Sequence, residues 1–416
     1  MSTATAAAPR SLAAATPRAE RIAVLDALRG FALFGVLLAN IAGMTLWIPS
    51  HLVSPGWHVD ALDGVVGPLI NFFIDGKSYT LLAILFGLGF AIQAEREDET
   101  GQRILPRRLL GLALIGLAHC YLMWYGDVLR NYALAGLVLY ACRRRSDRTL
   151  LLAGLTLAIV VPATVVIALD VSAWPYGVDD VARRSERFHA FLLGPVGRAF
   201  HANAREAHRR FTSLQALPFT TAVTGKFLLG MWVGRRRILH DVLGNRALLR
   251  RAFWWGGAIG ILGNALWIGR GALGEVVRYR YVLLTQYAVW AGLLGMGVCY
   301  GAGLALLHQR AWWRSRMRSL EALGRLSLTT YLTQSLMLIL IYSGAGAGML
   351  GKVGSTAALA MALVIFGGQL VFAQWWSRHF RMGPAEWAWR SLTYGRRQPF
   401  RLPRRDVVEP ADMKAA

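Results

Sequence analysis

The chain is poor in charge and poorer in acid. Only 17% of its 416 residues are charged, where soluble domains carry about 25%. Acidic residues number 23 against 46 basic ones, giving a net charge of +23. Lysine is almost absent: Lys77, Lys226, Lys352 and Lys414 are the only four, a skew we read as genomic base composition without mechanistic content. The three cysteines, Cys120, Cys142 and Cys299, lie in or at the ends of apolar segments. They show neither metal-ligand nor secreted-disulfide spacing, so reduced structural thiols are expected and no metal site. There is no Walker loop, dinucleotide fingerprint, zinc spacing or nucleophile elbow. That excludes a pump carrying its own ATPase and implies no bound cofactor.

What is present is apolar sequence. Hydrophobic residues make up 55% of the chain, its mean hydropathy is positive, and apolar runs of near-spanning length recur. A helix rises 1.5 Å per residue, so about 20 residues cross roughly 30 Å of hydrocarbon. The fold class expected is all-α, a polytopic membrane bundle with ten spans near 25–47, 72–93, 107–125, 128–142, 150–169, 216–234, 252–269, 281–307, 323–343 and 355–376. Five spans fall in an N-terminal bundle, 21–169, and five in a C-terminal unit, 216–395, that ends in a cytoplasmic motif. Residues 1–20 and 396–416 read as disordered tails. The Ala- and Ser-rich start lacks a signal peptide's apolar stretch.

The basic residues cluster between spans: Arg96, Arg103, Arg107 and Arg108; Arg143, Arg144, Arg145 and Arg148; Arg235, Arg236 and Arg237; Arg310, Arg314, Arg316 and Arg318; Arg378 and Arg381. With ten spans every cluster falls on one side, the cytoplasmic one, and both termini are cytoplasmic. Loops facing anionic lipid account for the charge, and no nucleic-acid-reading motif accompanies it. An eleventh span at 61–71 would invert every later cluster, so Val59 to Ile70 reads as an interfacial or re-entrant piece. The long segment 170–215 lies outside. Its Arg and His pattern suggests amphipathic helices on the outer surface or capping a cavity. The expected location is a bacterial inner membrane; the oligomeric state is open.

A charge at the bilayer centre costs about 2.5–3.5 kcal/mol or more, so polar groups inside spans are the first functional candidates. Asp26 and Arg29 stand one turn apart and can pair, either as an anchor at the cytoplasmic end or as part of a donor site. Asn40 follows Arg29 by eleven residues, three turns, on the same face and about 16 Å away. Lys77 either snorkels outward or joins an outer-side site. His119 is either a helix-packing residue or a base. Asp127 is either an N-cap or its orienting group. Lys77, His119, Asp127 and Asn40 all fall toward the outer half, and such convergence marks a site. Ser327, Tyr331, Gln334 and Ser335 form one polar stripe, which interhelical hydrogen bonding alone would also explain.

Five stretches resemble one family: RIAVLDALRGFALFGVLLANI at 21–41, FFIDGKSYTLLAILFGLGF at 72–90, GLAHCYLMWYGDVLRNYAL at 116–134, GRLSLTTYLTQS at 324–335 and RMGPAEWAWRSLTYGRRQP at 381–399. They look like the YeiB-like family, known as domain of unknown function 418, whose members have been loosely described as transport proteins. That family is distantly similar to membrane-bound acyltransferases, which pass an acyl group from a cytoplasmic donor such as acyl-coenzyme A to an acceptor on the far side. The acyltransferase-three group places a histidine where this chain has Asn40 after Arg29, and Asn cannot act as a base at neutral pH. The resemblance therefore implies an O- or N-acyltransferase in which His119 supplies the base and Asp127 orients it. Lys77 or Asn40 would stabilise the oxyanion, and Arg29 with Asp26 would hold the donor. The partners are membrane lipids and a cell-envelope glycan or lipid acceptor. The alternatives are a transporter or exporter of a small solute or lipid-linked intermediate, proton-coupled through Asp26, Asp127 and His119, and a membrane scaffold without turnover.

Overall fold

The first apolar run forms α1, Ala23–Thr45. Its 23 residues rise about 34 Å, enough to cross the hydrocarbon, and Asp26 in its first turn complements the helix dipole. The computed structural model describes residues 22–45, 61–101, 103–169, 186, 189–191, 196–269 and 275–402. The expected tail at 1–20, the end of the tail expected at 396–416 and the start of the outer segment lie outside these residues.

Among the described residues regular structure is helical. The helices after α1 are α2 (Asp63–Phe73), α3 (Lys77–Thr100), α4 (Leu105–Leu122), α5 (Leu129–Cys142), α6 (Asp147–Leu155), α7 (Val161–Ala168), α8 (Val196–Thr212), α9 (Leu217–Arg235), α10 (Arg246–Gly269), α11 (Glu275–His308), α12 (Ala311–Gly324), α13 (Ser327–Tyr342), α14 (Ser355–His379) and α15 (Pro384–Tyr394). A π-helical turn, Thr156–Val160, joins α6 to α7. One antiparallel bridge, Phe380 to Arg401, ties the chain after α15 back to the end of α14.

Five helical stretches are long and apolar enough to cross a membrane: Ala23–Ala42, Asp63–Glu99, Asp147–Ala168, Thr285–His308 and Ser355–His379. A sixth is added if α8 and α9, bent by 71°, count as one. That is fewer than the ten expected. The other helices fall short for physical reasons. α5 has 14 residues and α13 has 16, so they rise only about 21 and 24 Å. α4 spends part of its 18 residues on Arg107 and Arg108. In α10 glycines, tryptophans and Asn264 dilute the apolar run. The piece expected to be interfacial is α2, whose 11 residues cannot span alone. It enters α3 through a short turn in which Gly76 takes φ +77°, a left-handed conformation that a residue with a Cβ adopts at a cost.

α1 is the organising element. Val36, Leu37 and Ile41 are wholly buried, and the helix packs on α3 from one part of the chain and on α12, α13 and α14 from another. α10 and α11 pack as a close pair through small residues: a Cβ on Gly263 would stand 2.3 Å from the Ala288 carbonyl oxygen. Outward-facing Leu110, Leu114, Trp254, Trp255, Leu262, Val364 and Val371 are exposed, an apolar surface suited to lipid rather than water. α15 folds back onto α4 and α13.

Candidate functional site

α4 ends where Trp124, Tyr125, Gly126 and Asp127 turn the chain into α5. The Asp127 N–H donates to the Trp124 carbonyl at 3.1 Å, closing the turn. One carboxylate oxygen of Asp127, Oδ2, accepts from the Arg130 N–H at 2.8 Å, capping one of the donors that a helix start leaves free. The other, Oδ1, lies 2.8 Å from His119 Nδ1 and accepts from the Tyr331 hydroxyl at 3.2 Å. The Tyr331 ring tilts over the imidazole with centroids 5.1 Å apart, and its oxygen accepts from the Val128 N–H at 3.4 Å. His119 and Asp127 are 3% and 2% exposed. One Asp127 side chain thus contacts both the first turn of α5 and the His119 ring.

A carboxylate at Nδ1 favours the tautomer with its proton there and frees the lone pair on Nε2. His119 Nε2 is buried with no hydrogen-bond partner among the described residues. Such an imidazole can take a proton from a hydroxyl or amine brought to Nε2.

The other expected residues fall around this pair, not onto it. The Tyr79 hydroxyl donates to Asn40 Oδ1 at 2.5 Å, leaving the Asn40 amide group to donate elsewhere. Lys77 does not snorkel: it is buried, with Nζ donating to the Asn71 carbonyl at 2.6 Å. Tyr79, Tyr132 and Tyr331 all lie within Coulombic reach of Asp127. Arg29 pairs with Asp26 at 3.1 Å near the opposite end of α1. The polar stripe divides. Tyr331 serves the dyad, and Gln334 donates across to Gln369 at 2.9 Å. Ser335 bonds the Tyr331 carbonyl within its own helix at 3.4 Å, and Ser327 is half-buried at the start of α13. Among the described residues no group of three or more His, Cys, Asp and Glu side chains could hold a metal ion.

Three buried groups were not singled out from sequence. Asn203 on α8 donates to the Cys120 and Tyr121 carbonyls at 3.0 and 2.9 Å and accepts from the Tyr125 N–H at 2.8 Å. It pins the amphipathic helix α8 onto the turn that carries the dyad. Arg130 stands beside that turn; its signal was an arginine on the side that the sequence reading expects to carry few basic residues. Lys226, midway along α9, is buried.

The opposite end gathers cations. Arg108 lies within Coulombic reach of Arg29 and Arg390, and its guanidinium sits 4.1 Å over the Trp389 ring, whose Nε1 donates to the Arg108 carbonyl at 2.8 Å. Glu386 of α15 accepts from the Leu328 and Thr329 N–H groups at 2.6 and 3.2 Å and from the Thr329 hydroxyl at 2.6 Å, capping α13 from another element. Burial pushes its carboxyl above the usual range, against the opposing pull of these hydrogen bonds.

The model of the family described as "Protein of unknown function (DUF418)" matches residues 233–396. "Uncharacterized protein YxaH" of Bacillus subtilis is 31% identical over 398 residues, covering 91% of this chain and 96% of that protein. "Uncharacterized protein YeiB" of Escherichia coli is 29% identical over 395 residues, covering 90% and 96%. A protein of Bacillus acidopullulyticus, "Uncharacterized 39.9 kDa protein in amylase 3'region", is 25% identical over 389 residues, covering 92% and 96%. With YxaH related over nearly the full length of both chains, and the family model matching the C-terminal part, this protein belongs to the DUF418, or YeiB-like, family.

Proposed function

We propose that this is a plasma-membrane acyltransferase that takes an acyl group from an anionic cytoplasmic donor, of the acyl-coenzyme A class, to a hydroxyl or amine of a cell-envelope acceptor outside. The observation that carries the reading is the buried His119–Asp127 pair with its free Nε2. In the reaction His119 removes the acceptor proton as the acceptor oxygen or nitrogen bonds the acyl carbon. The thioester C–S bond breaks, and the proton passes to the leaving thiolate. Asp127 and Tyr331 hold the imidazole. The Asn40 amide and Lys77, both near the outer half, are the groups for the developing oxyanion. Arg29, Arg108 and Arg390 supply positive charge for the donor's phosphates.

This chemistry needs two sides. Ten membrane crossings with both termini in the cytoplasm would put the arginines inside and His119 outside. The shorter helices would then cross in a locally thinned or protein-lined region.

The test uses proteoliposomes incubated with labelled acyl donors and extracts of cell-envelope glycans and lipids. Protein-dependent transfer that disappears in His119→Ala, with folding retained, is the expected result. No transfer with any common donor at any pH overturns it. The near-complete burial of the dyad favours a second reading, proton-coupled transport. That reading expects instead a substrate-dependent pH change inside loaded vesicles, lost in the same variant.

A further inference from the structure

Arg130 belongs to neither the dyad nor the cytoplasmic cluster. Its backbone N–H is bound by Asp127, but its side chain goes elsewhere, toward α4 and α8. The residue is 7% exposed. Nη1 reaches only the Cys120 sulfur, at 3.8 Å, and the guanidinium carbon lies 5.4 Å from the Phe211 ring. Nε is buried with no partner among the described residues. A buried cation ordinarily stands in an ion pair, yet no carboxylate among the described residues comes within ion-pairing distance of this one. Asp127, three residues before Arg130, has committed both oxygens, to His119 and Tyr331 and to the Arg130 N–H. Glu206 on α8 holds Arg209 and Arg210.

We propose that Arg130 is the receptor for an anionic oxygen group, a phosphate or carboxylate, on the substrate that approaches His119 from the outer side. With Nη1 turned to Cys120, the edge formed by Nε and Nη2 makes no hydrogen bond among the described residues. That edge presents two parallel N–H donors, the fork that matches two oxygens of such an anion. A second orphaned nitrogen, His119 Nε2, belongs to the residue adjoining the cysteine that Arg130 touches. The anion would pin the substrate while its nucleophile meets the imidazole. Phe211 closes the arrangement on the side of α8. The inference names the substrate class of the site described above and rests on that reading for its role. The binding itself needs no acyl donor and is measured without one.

Purified protein in vesicles of phosphatidylcholine is titrated with inorganic phosphate at constant ionic strength, with chloride as the control, and thermal unfolding is followed. A parallel arm replaces part of the lipid with phosphatidylglycerol. Phosphate is expected to raise the unfolding temperature to a plateau. Arg130→Gln should weaken the apparent affinity at least tenfold, whereas Arg198→Gln, an exposed arginine on α8, should not. Stabilisation by phosphatidylglycerol alone, lost in Arg130→Gln, assigns the anion to a lipid headgroup; stabilisation by phosphate in both membranes assigns it to a soluble source. Should Arg130→Gln not fold, Arg130→Lys keeps the charge and loses the fork, and a several-fold weaker affinity is expected. Equal affinities in wild type and the Arg130 variant, or no anion-specific shift in either arm, overturn the proposal.

Discussion

Asp127 shows how much one side chain can decide. Its two oxygens serve a helix start, a tyrosine and a histidine, and it is almost wholly removed from water. Asparagine has the same shape but only one accepting atom. Asp127→Asn must therefore give up either the cap or the imidazole. The expected cost is about 1–3 kcal/mol, read as a lower unfolding temperature in detergent. The acyl transfer proposed above should fall well beyond what that loss of stability explains, because the His119 tautomer is no longer set. Unchanged transfer in a folded Asp127→Asn protein would remove the pair from the mechanism. Only seven residues, the end of α4 and one tight turn, lie between His119 and Asp127, so their meeting was legible in the sequence. Tyr331 stands 204 residues from Asp127, and nothing local announces that contact.

At the scale of elements, α15 is the informative case. Its sequence stood out as a motif without a role. In the fold it carries Glu386 to the start of α13, where Leu326 makes no side-chain cap hydrogen bond, and sets Trp389 on Arg108. Burial holds the Glu386 carboxyl above its ordinary value of 4.5. A group whose pKa is raised on folding gives stability that is fully present below the unfolded value and is lost as pH rises through the folded one. Docking of α15 should therefore loosen as pH rises through that window. Hydrogen exchange of the α15 amides against pH measures this. Glu386→Gln, which stays neutral, should flatten the profile. A slope unchanged in the glutamine variant would assign the pH dependence to another group.

At the scale of the molecule the open quantity is how often the chain crosses. Five or six stretches satisfy length and apolarity, while the basic clusters fall on one side only if the shorter helices cross as well. Reporter fusions separate these counts. Green fluorescent protein after residue 402 should fluoresce, and alkaline phosphatase inserted at Gly346, between α13 and α14, should be active. Both reporters giving the cytoplasmic result would place α14 on one side and remove a crossing. Short helices escape such a criterion by length: α5 and α13 have 14 and 16 residues, too few to cross the full hydrocarbon thickness unaided.

The sequence by itself determined that the chain is helical, apolar and asymmetric in charge, because these follow from composition and from periodicity along one strand of polymer. It also brought His119 next to Asp127 and Asp26 next to Arg29, since both pairs are local. Only the tertiary structure decided that Lys77 is buried, that Tyr331 completes the dyad, that Asn203 and Glu386 cap elements far from them in sequence, and that Arg130 has no counter-ion among the described residues. Each of these depends on which helix faces which, a matter of packing between distant segments that no single stretch of sequence encodes.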